Sequence, residues 1–336
     1  MSGGSGLRAR EEAHRGRDMT PDNEASFRGL VRYLQGGRGV TAKTVASYHQ
    51  ACLSLESYLR TEDADPDLLR VTKDQILGWI GELRANGGWS LQDGELVQSG
   101  KGLAKDSLAS YYSSVRRFYS WAASEDMLDV SPVEGTVPPR WSDKPVAIAS
   151  LDLVRAMIAT CHPKGRKPGA WDLRDEFVIR LFAETGGPRC HEVAGLLTEH
   201  VDMREDLVKI HGKGDTWRRF PMAPKTATAA QRWLRARAAL RYAPLPYAVI
   251  GTKGQMNPSG VYDIVDRRSR QAGGHVHPHQ IRHLAADLAK SDEMTDDDMM
   301  SLFGWNTTKM LHRYGRERQE QRAIAASRRH AIGNRL

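Results

Sequence analysis

Two short stretches of this chain carry side chains able to hold an anion and move a proton. In HVHPHQIRH, residues 275–283, four of the twelve histidines fall within nine residues. His279 and Arg282 stand three apart just after Pro278, a spacing that puts both on one face at the start of a helix. In ETGGPRCHEVAGL, residues 184–196, a glycine pair ends one helix and Arg189 opens the next segment, with Glu192 three residues on. A cation at a helix N-terminus opposes the macrodipole unless an anion sits there with it, and Glu192 is placed to orient this one. Lys213, 24 residues after Arg189, lies in Gly-Lys-Gly-Asp, a hairpin-turn signal. LFGWNTTKMLHRYGR then places Trp305 and, nine residues later, Tyr314. Singly, each has an ordinary reading: a turn arginine, a solvated lysine, a packing tryptophan, a core tyrosine, an Arg282 paired with Asp287 or Glu293. Histidine density also invites a metal reading, with His275 and His277 as H-x-H and His279 and His283 one helical turn apart. No nearby Asp or Cys pattern completes a metal motif, and Pro278 interrupts the cluster, so no metal is expected.

The elements that must position these residues are mostly helical. From about Pro21 to Asp126 the apolar residues recur at helical spacing, giving four amphipathic helices. Thr41 is a cap for one, and Thr72 with Gln75 is a capping-box pair for another. Between Arg84 and Lys105 the Gly-rich, polar sequence predicts a long loop. Residues 131–146 hold four prolines and little periodicity, the mark of a linker. Ser150 caps the first helix of a second unit, a helix follows over Asp175–Glu184, and LVKIHGKGDTWRRFPM alternates about a turn as a hairpin does. Further helical patterns run over Thr226–Arg241, Val261–Ala272 and from Pro278 nearly to the end. The expected fold is mainly α with a small antiparallel β-sheet (α+β). The expected layout is a flexible polar arm over 1–20, a helical domain over 21–130, a linker over 131–147 and a second domain with a C-terminal tail over 148–336.

Composition bounds the function. The 336 residues carry 49 Lys and Arg against 41 Asp and Glu, a formal charge of +8, and such an excess is compatible with a polyanionic partner. Cys52, Cys161 and Cys190 are far apart and odd in number, which fits a reducing, cytoplasmic setting without disulfides. No run approaches the ~20 apolar residues of a membrane helix, and the first residues lack the apolar core of a secretory signal.

Taken in order, Arg189, Lys213, His279-x-x-Arg282, Trp305 and Tyr314 resemble the active-site set of the tyrosine recombinase (phage integrase) family. The local contexts match too, including G-K-G in the hairpin and L-x-G-W before the tyrosine. Trp305 stands where most members have a second histidine, as in Cre-like members, and GGPR departs from the commoner TGLR. The resemblance spans residues 150–320, and the helical region before it looks like the family's core-binding (SAM-like) domain. It implies a site-specific DNA recombinase, an integrase acting through a 3′-phosphotyrosyl intermediate and a Holliday junction, in integration or excision of a mobile element or phage genome. It further implies double-stranded DNA as partner, a tetramer assembled on DNA, an accessory DNA-bending or directionality factor, no cofactor, and work at the nucleoid.

The chemistry stands on the residues themselves. Attack on a phosphodiester builds charge on a pentavalent phosphorus that preorganised donors must stabilise. Arg189 and Arg282 each offer a planar fork to non-bridging oxygens. His279 can donate to the phosphate or accept a proton, and Trp305 has only an indole N–H to give. Tyr314 needs a positive surrounding, since its reference pKa is ~10. The resemblance assigns Tyr314 the nucleophile and Lys213 the acid that protonates the leaving 5′-oxygen. In the first domain Lys43, Thr44, Ser47, Lys105, Ser107, Ser110, Arg116 and Arg117 are the polar residues able to reach phosphates or base edges, and two domains on a Pro-rich linker can clamp a duplex. The tail from Arg313 onward carries seven arginines against two glutamates. It reads as a phosphate-contacting tail or, by resemblance, a helix docked on a neighbouring protomer. Three alternatives remain open: a type IB topoisomerase-like strand transferase, a His-cluster metallohydrolase, and a DNA-binding regulator with a catalytically dead recombinase fold.

Overall fold

A computed structural model describes residues 19–92, 95–141, 147–212, 216–308 and 311, with 324, 327 and 328. The chain divides into two compact units, Met1–Asp143 and Lys144–Leu336.

In the first unit each helix begins where a side chain can satisfy its free amide groups. Helix α1 (Pro21–Arg38) has Thr20 accepting from the Asn23 amide and Pro21 in its first turn. Thr41 caps α2 (Ala42–Thr61). Both halves of the Thr72–Gln75 capping box open α3 (Lys73–Asn86). Helix α4 (Lys105–Ser124) buries Leu108, Tyr112, Val115, Phe118 and Tyr119 against Leu30, Leu55, Leu59 and Trp79. The buried Trp79 donates its indole N–H to Ser54 Oγ at 3.1 Å. Ser131–Thr136 packs onto the same unit: Val133 joins its core and Thr136 bonds the Tyr112 hydroxyl.

The stretch expected as a long loop holds an antiparallel pair instead, β1 (Trp89–Gln92) and β2 (Glu95–Gln98), in register Trp89 with Gln98. Its root explains the glycines. A Cβ on Gly87 (φ +84°) would lie 2.2 Å from the Lys101 carbonyl oxygen, and one on Gly102 would lie 2.1 Å from that of Arg84. The glycines let two backbones meet, a role that composition alone cannot separate from a loop.

The second unit starts with α5 (Leu151–Thr160), capped by Ser150, and α6 (Ala170–Ala183). Helix α6 opens five residues before the expected Asp175, because its first turns bury charge. Asp175 takes ion pairs from Arg174, Arg267 and Arg268 at 2.6–2.8 Å, and Asp172 takes them from Arg166 and Arg268. Apolar periodicity is blind to a buried polar face. The short helix α7 (Cys190–Ala194) leads into a three-stranded antiparallel sheet of β3 (Val201–Asp202), β4 (Leu207–Gly212) and β5 (Thr216–Pro221). The β4–β5 register runs from Leu207 with Pro221 to Gly212 with Thr216, so the expected hairpin is present. Then come α8 (Pro224–Arg237), the small pair β6 (Ile250–Gly251) and β7 (Gly254–Gln255), α9 (Pro258–Gln271), α10 (Pro278–Ser291) and α11 (Asp296–Phe303). The main core gathers Phe177, Phe182, Val208, Phe220, Trp233 and Ile281, and a smaller one joins Ala286, Met299, Phe303 and Trp305.

Candidate active site

Arg189 is the N-cap of α7. Its amide donates to Glu192 Oε2 at 2.6 Å and its guanidinium Nη1 to Glu192 Oε1 at 3.0 Å. The expected orienting role of Glu192 thus has its geometry. The carboxylate is buried, while the Arg189 side chain stays 32% exposed, within reach of a ligand. The Gly186–Gly187 turn packs without space: a Cβ on Gly186 (φ +85°) would meet the Leu302 carbonyl at 2.7 Å.

A second arginine, absent from the sequence reading, completes this pair. Arg218 on β5 grips Glu192 with both terminal nitrogens, at 2.9 and 2.8 Å, and gives its Nε to the Leu302 carbonyl at 3.1 Å. Burial works to raise the Glu192 pKa, but the hydrogen bonds and charges of Arg218 and Arg189 overcome it and hold the group down to about 2. Glu192 is therefore an anion at any physiological pH. A signal for Arg218 existed in the sequence. It lies two residues from buried Phe220 and opposite buried Ile210, so strand alternation turns it inward. A long cation on the covered face of a strand requires a buried anion.

His279 and Arg282 occupy the first turns of α10 as expected. His279 is exposed, with its ring 4.0 Å from that of His283. Arg282 is 2% exposed; its Nη2 donates to the Phe303 carbonyl, and its guanidinium lies 5.0 Å from the Phe303 ring centroid. Trp305 is buried and stacks on Phe303, with centroids 4.7 Å apart and planes at 18°.

The last carbonyls of α11 are the meeting point. Leu302 accepts from Arg218 and Phe303 from Arg282, as suits the negative end of a helix dipole. The chain then turns at Gly304 (φ +61°), where a Cβ would touch Arg218 Cδ at 3.1 Å. Arg189, Glu192, Arg282 and Trp305, spread over more than a hundred residues, thus belong to one connected cluster with Arg218 at its centre. Lys213 and Tyr314 lie outside the described residues.

In the first unit, Lys43 and Ser47 of α2 and Ser110 of α4 line one depression of about 300 Å³. Thr44 bonds the cap residue Thr41, Ser107 is half-buried, and Lys105 and Arg116 are exposed. At 100° per residue these two fall on a different edge of α4 from Ser110. Arg117 reaches toward α1, 5.8 Å from the Tyr33 ring centroid. The structure brings three of the eight candidates to one place.

Comparison with known proteins agrees with this architecture. The model of the phage integrase family matches residues 151–321, and that of the phage integrase N-terminal SAM-like domain matches residues 27–126. Tyrosine recombinase XerC of Stutzerimonas stutzeri is 30% identical over 244 residues, 71% of this chain and 77% of that protein. XerC of Corynebacterium efficiens is 29% identical over 229 residues, 66% of each. Among solved structures, the XerH recombinase in a post-cleavage complex with its palindromic difH substrate shares the fold, with a TM-score of 0.67 and 15% identity over 90% of this chain and 84% of that one. A lambda integrase dimer on a COC′ core site gives 0.61 and 14% over 86% and 94%. Fold and matches define a tyrosine-type site-specific recombinase. The chain belongs to the phage integrase family.

Proposed function

We propose that this chain cuts and rejoins double-stranded DNA at a specific site, with Tyr314 as nucleophile. The observation that carries the reading is the convergence of the Arg189–Glu192–Arg218 relay and Arg282 on the last carbonyls of α11. Tyr314 lies nine residues beyond Trp305, which is stacked into that cluster. Arg189 and Arg282 supply guanidinium forks for the non-bridging oxygens, and Glu192 keeps Arg189 from turning away. His279 stands at the helix start to hand a proton to or from the phosphate. Trp305 packs the floor and offers one indole N–H. Lys213 protonates the departing 5′-oxygen from the β4–β5 turn. The bond energy is held in the 3′-phosphotyrosyl ester, so rejoining needs neither ATP nor a cofactor.

The depression lined by Lys43, Ser47 and Ser110 is the part of the helical unit best placed to take a phosphate, with Thr44, Lys105, Ser107, Arg116 and Arg117 as flanking contacts. Exchange of strands through a Holliday junction calls for a tetramer on DNA, with an accessory bending factor setting direction. In the described residues no helix is long and apolar enough to cross a membrane.

The test uses nicked duplexes tiled across the DNA flanking the gene, in EDTA. A covalent protein–DNA adduct is expected, and it disappears with Tyr314→Phe. An adduct that survives in that variant rules out the assignment, and relaxation of plasmids without any target identifies a topoisomerase. Binding with no adduct from the unmodified chain identifies a DNA-binding regulator.

A further inference from the structure

The remaining histidines of the opening cluster have company that the sequence reading did not find. Helix α9 ends at Gln271, and the chain doubles back through Gly273 (φ +81°). The Gly274 amide donates to the Ser269 carbonyl at 2.9 Å and the Val276 amide to Ser269 Oγ at 3.2 Å, with Val276 buried. His275 and His277 flank Val276, so alternation along this extended stretch puts both imidazoles on one side, over α9. There they meet Asp266. His275 Nδ1 lies 3.1 Å from Asp266 Oδ1, the two rings are 4.8 Å apart, and one ligand atom from each of Asp266, His275 and His277 falls within 4.8 Å of the others.

We infer that Asp266, His275 and His277 form a binding site for one Zn²⁺-class divalent cation, distinct from the strand-transfer residues. Three features fit. Asp266 Oδ1 is shielded from solvent and accepts no hydrogen bond among the described residues, although a histidine nitrogen faces it. Two such atoms bound to one cation at ~2.0–2.1 Å would sit roughly 3.3 Å apart, close to the separation seen. The supporting contacts are also those of a metal site. Arg270 Nε holds the other carboxylate oxygen at 2.9 Å. The Tyr262 hydroxyl bonds His277 Nδ1 and its ring stacks on the imidazole, which leaves Nε2 of His277 as the ligand atom. Two imidazoles and one carboxylate suit zinc, cobalt or nickel rather than calcium or magnesium, with water completing the shell. His279 and His283 lie against each other and are not part of the site.

His277 is the N-cap of α10, two residues before His279. A bound cation ties this cap to α9 and fixes the start of the helix that carries His279 and Arg282. It takes no part in bond breaking.

The experiment titrates the metal-free full chain with Co²⁺ and Zn²⁺, reading the Co²⁺ visible bands and the heat of Zn²⁺ binding. One saturable site per chain is expected, with affinity lowered at least tenfold in His275→Ala, His277→Ala and Asp266→Asn and retained in His283→Ala. All these variants are checked for folding by circular dichroism. Absence of a saturable site overturns the inference, as does binding that survives His277→Ala or vanishes in a folded His283→Ala.

Discussion

At the scale of single residues, the site rests on a buried carboxylate shared by two arginines of different standing. Arg189 is open to a ligand, whereas Arg218 spends its hydrogen bonds on Glu192 and the end of α11. Replacing Arg218 by lysine keeps the charge but loses the fork that spans both carboxylate oxygens and the Leu302 carbonyl. We expect Arg218→Lys to slow single-turnover adduct formation by about 10–100-fold, with DNA affinity unchanged. A parallel fall in affinity would mean that Arg218 itself touches DNA. If Arg189 holds the phosphate as proposed, Arg189→Lys removes a charge-stabilising donor and a loss on the order of 10²–10³-fold is expected; an unchanged rate would remove Arg189 from the chemistry. The Arg189–Glu192 pair and the place of His279 and Arg282 at a helix start were legible from their spacing, whereas Tyr314 lies outside the described residues. Arg218 carried only a weaker signal, its alternation with buried Phe220 on β5, and the anion it needs lies 26 residues away on another element.

At the scale of elements, the helix starts were legible and the close approaches were not. Thr41, Thr72 with Gln75, and Ser150 all cap where the sequence placed them, since capping is chemistry between residues two or three apart. The β1–β2 pair was missed because Gly87 and Gly102 are there for backbone contact with residues far along the chain. The early turns of α6 were missed because Asp172 and Asp175 are buried by arginines from elsewhere. Gly304 is the element-level feature most open to test. Alanine there must adopt a left-handed conformation, costing about 1–2 kcal/mol, and its methyl would press on Arg218 Cδ. Gly304→Ala should lower the thermal midpoint by a few degrees and slow adduct formation together. Loss of stability with an untouched rate would separate the α11 turn from the active cluster.

At the scale of the whole molecule, the second unit keeps Asp172 and Glu192 ionised, and this sets how it responds to acid. Burial opposes the charge on Asp172, but hydrogen bonds from Arg268, the Gly169 amide and Arg166 bring its pKa to about 2. Arg218 and Arg189 do the same for Glu192. Both groups bind protons more readily in the unfolded chain, near the ordinary carboxylate range, so each stabilises the fold fully above about pH 4.5. That contribution is lost as pH falls from there toward 2, and for Glu192 it amounts to roughly 3 kcal/mol. Hydrogen exchange read peptide by peptide between pH 6 and 3 should therefore show protection falling in α6, α7 and β5, after correction for the intrinsic exchange rate. Glu192→Gln should lower stability at pH 6 and flatten the pH dependence in α7 and β5, because no proton is then taken up at that position on unfolding. If the variant keeps the full acid slope there, another group carries the linkage and the charged Arg189–Glu192–Arg218 relay is not what holds those elements together.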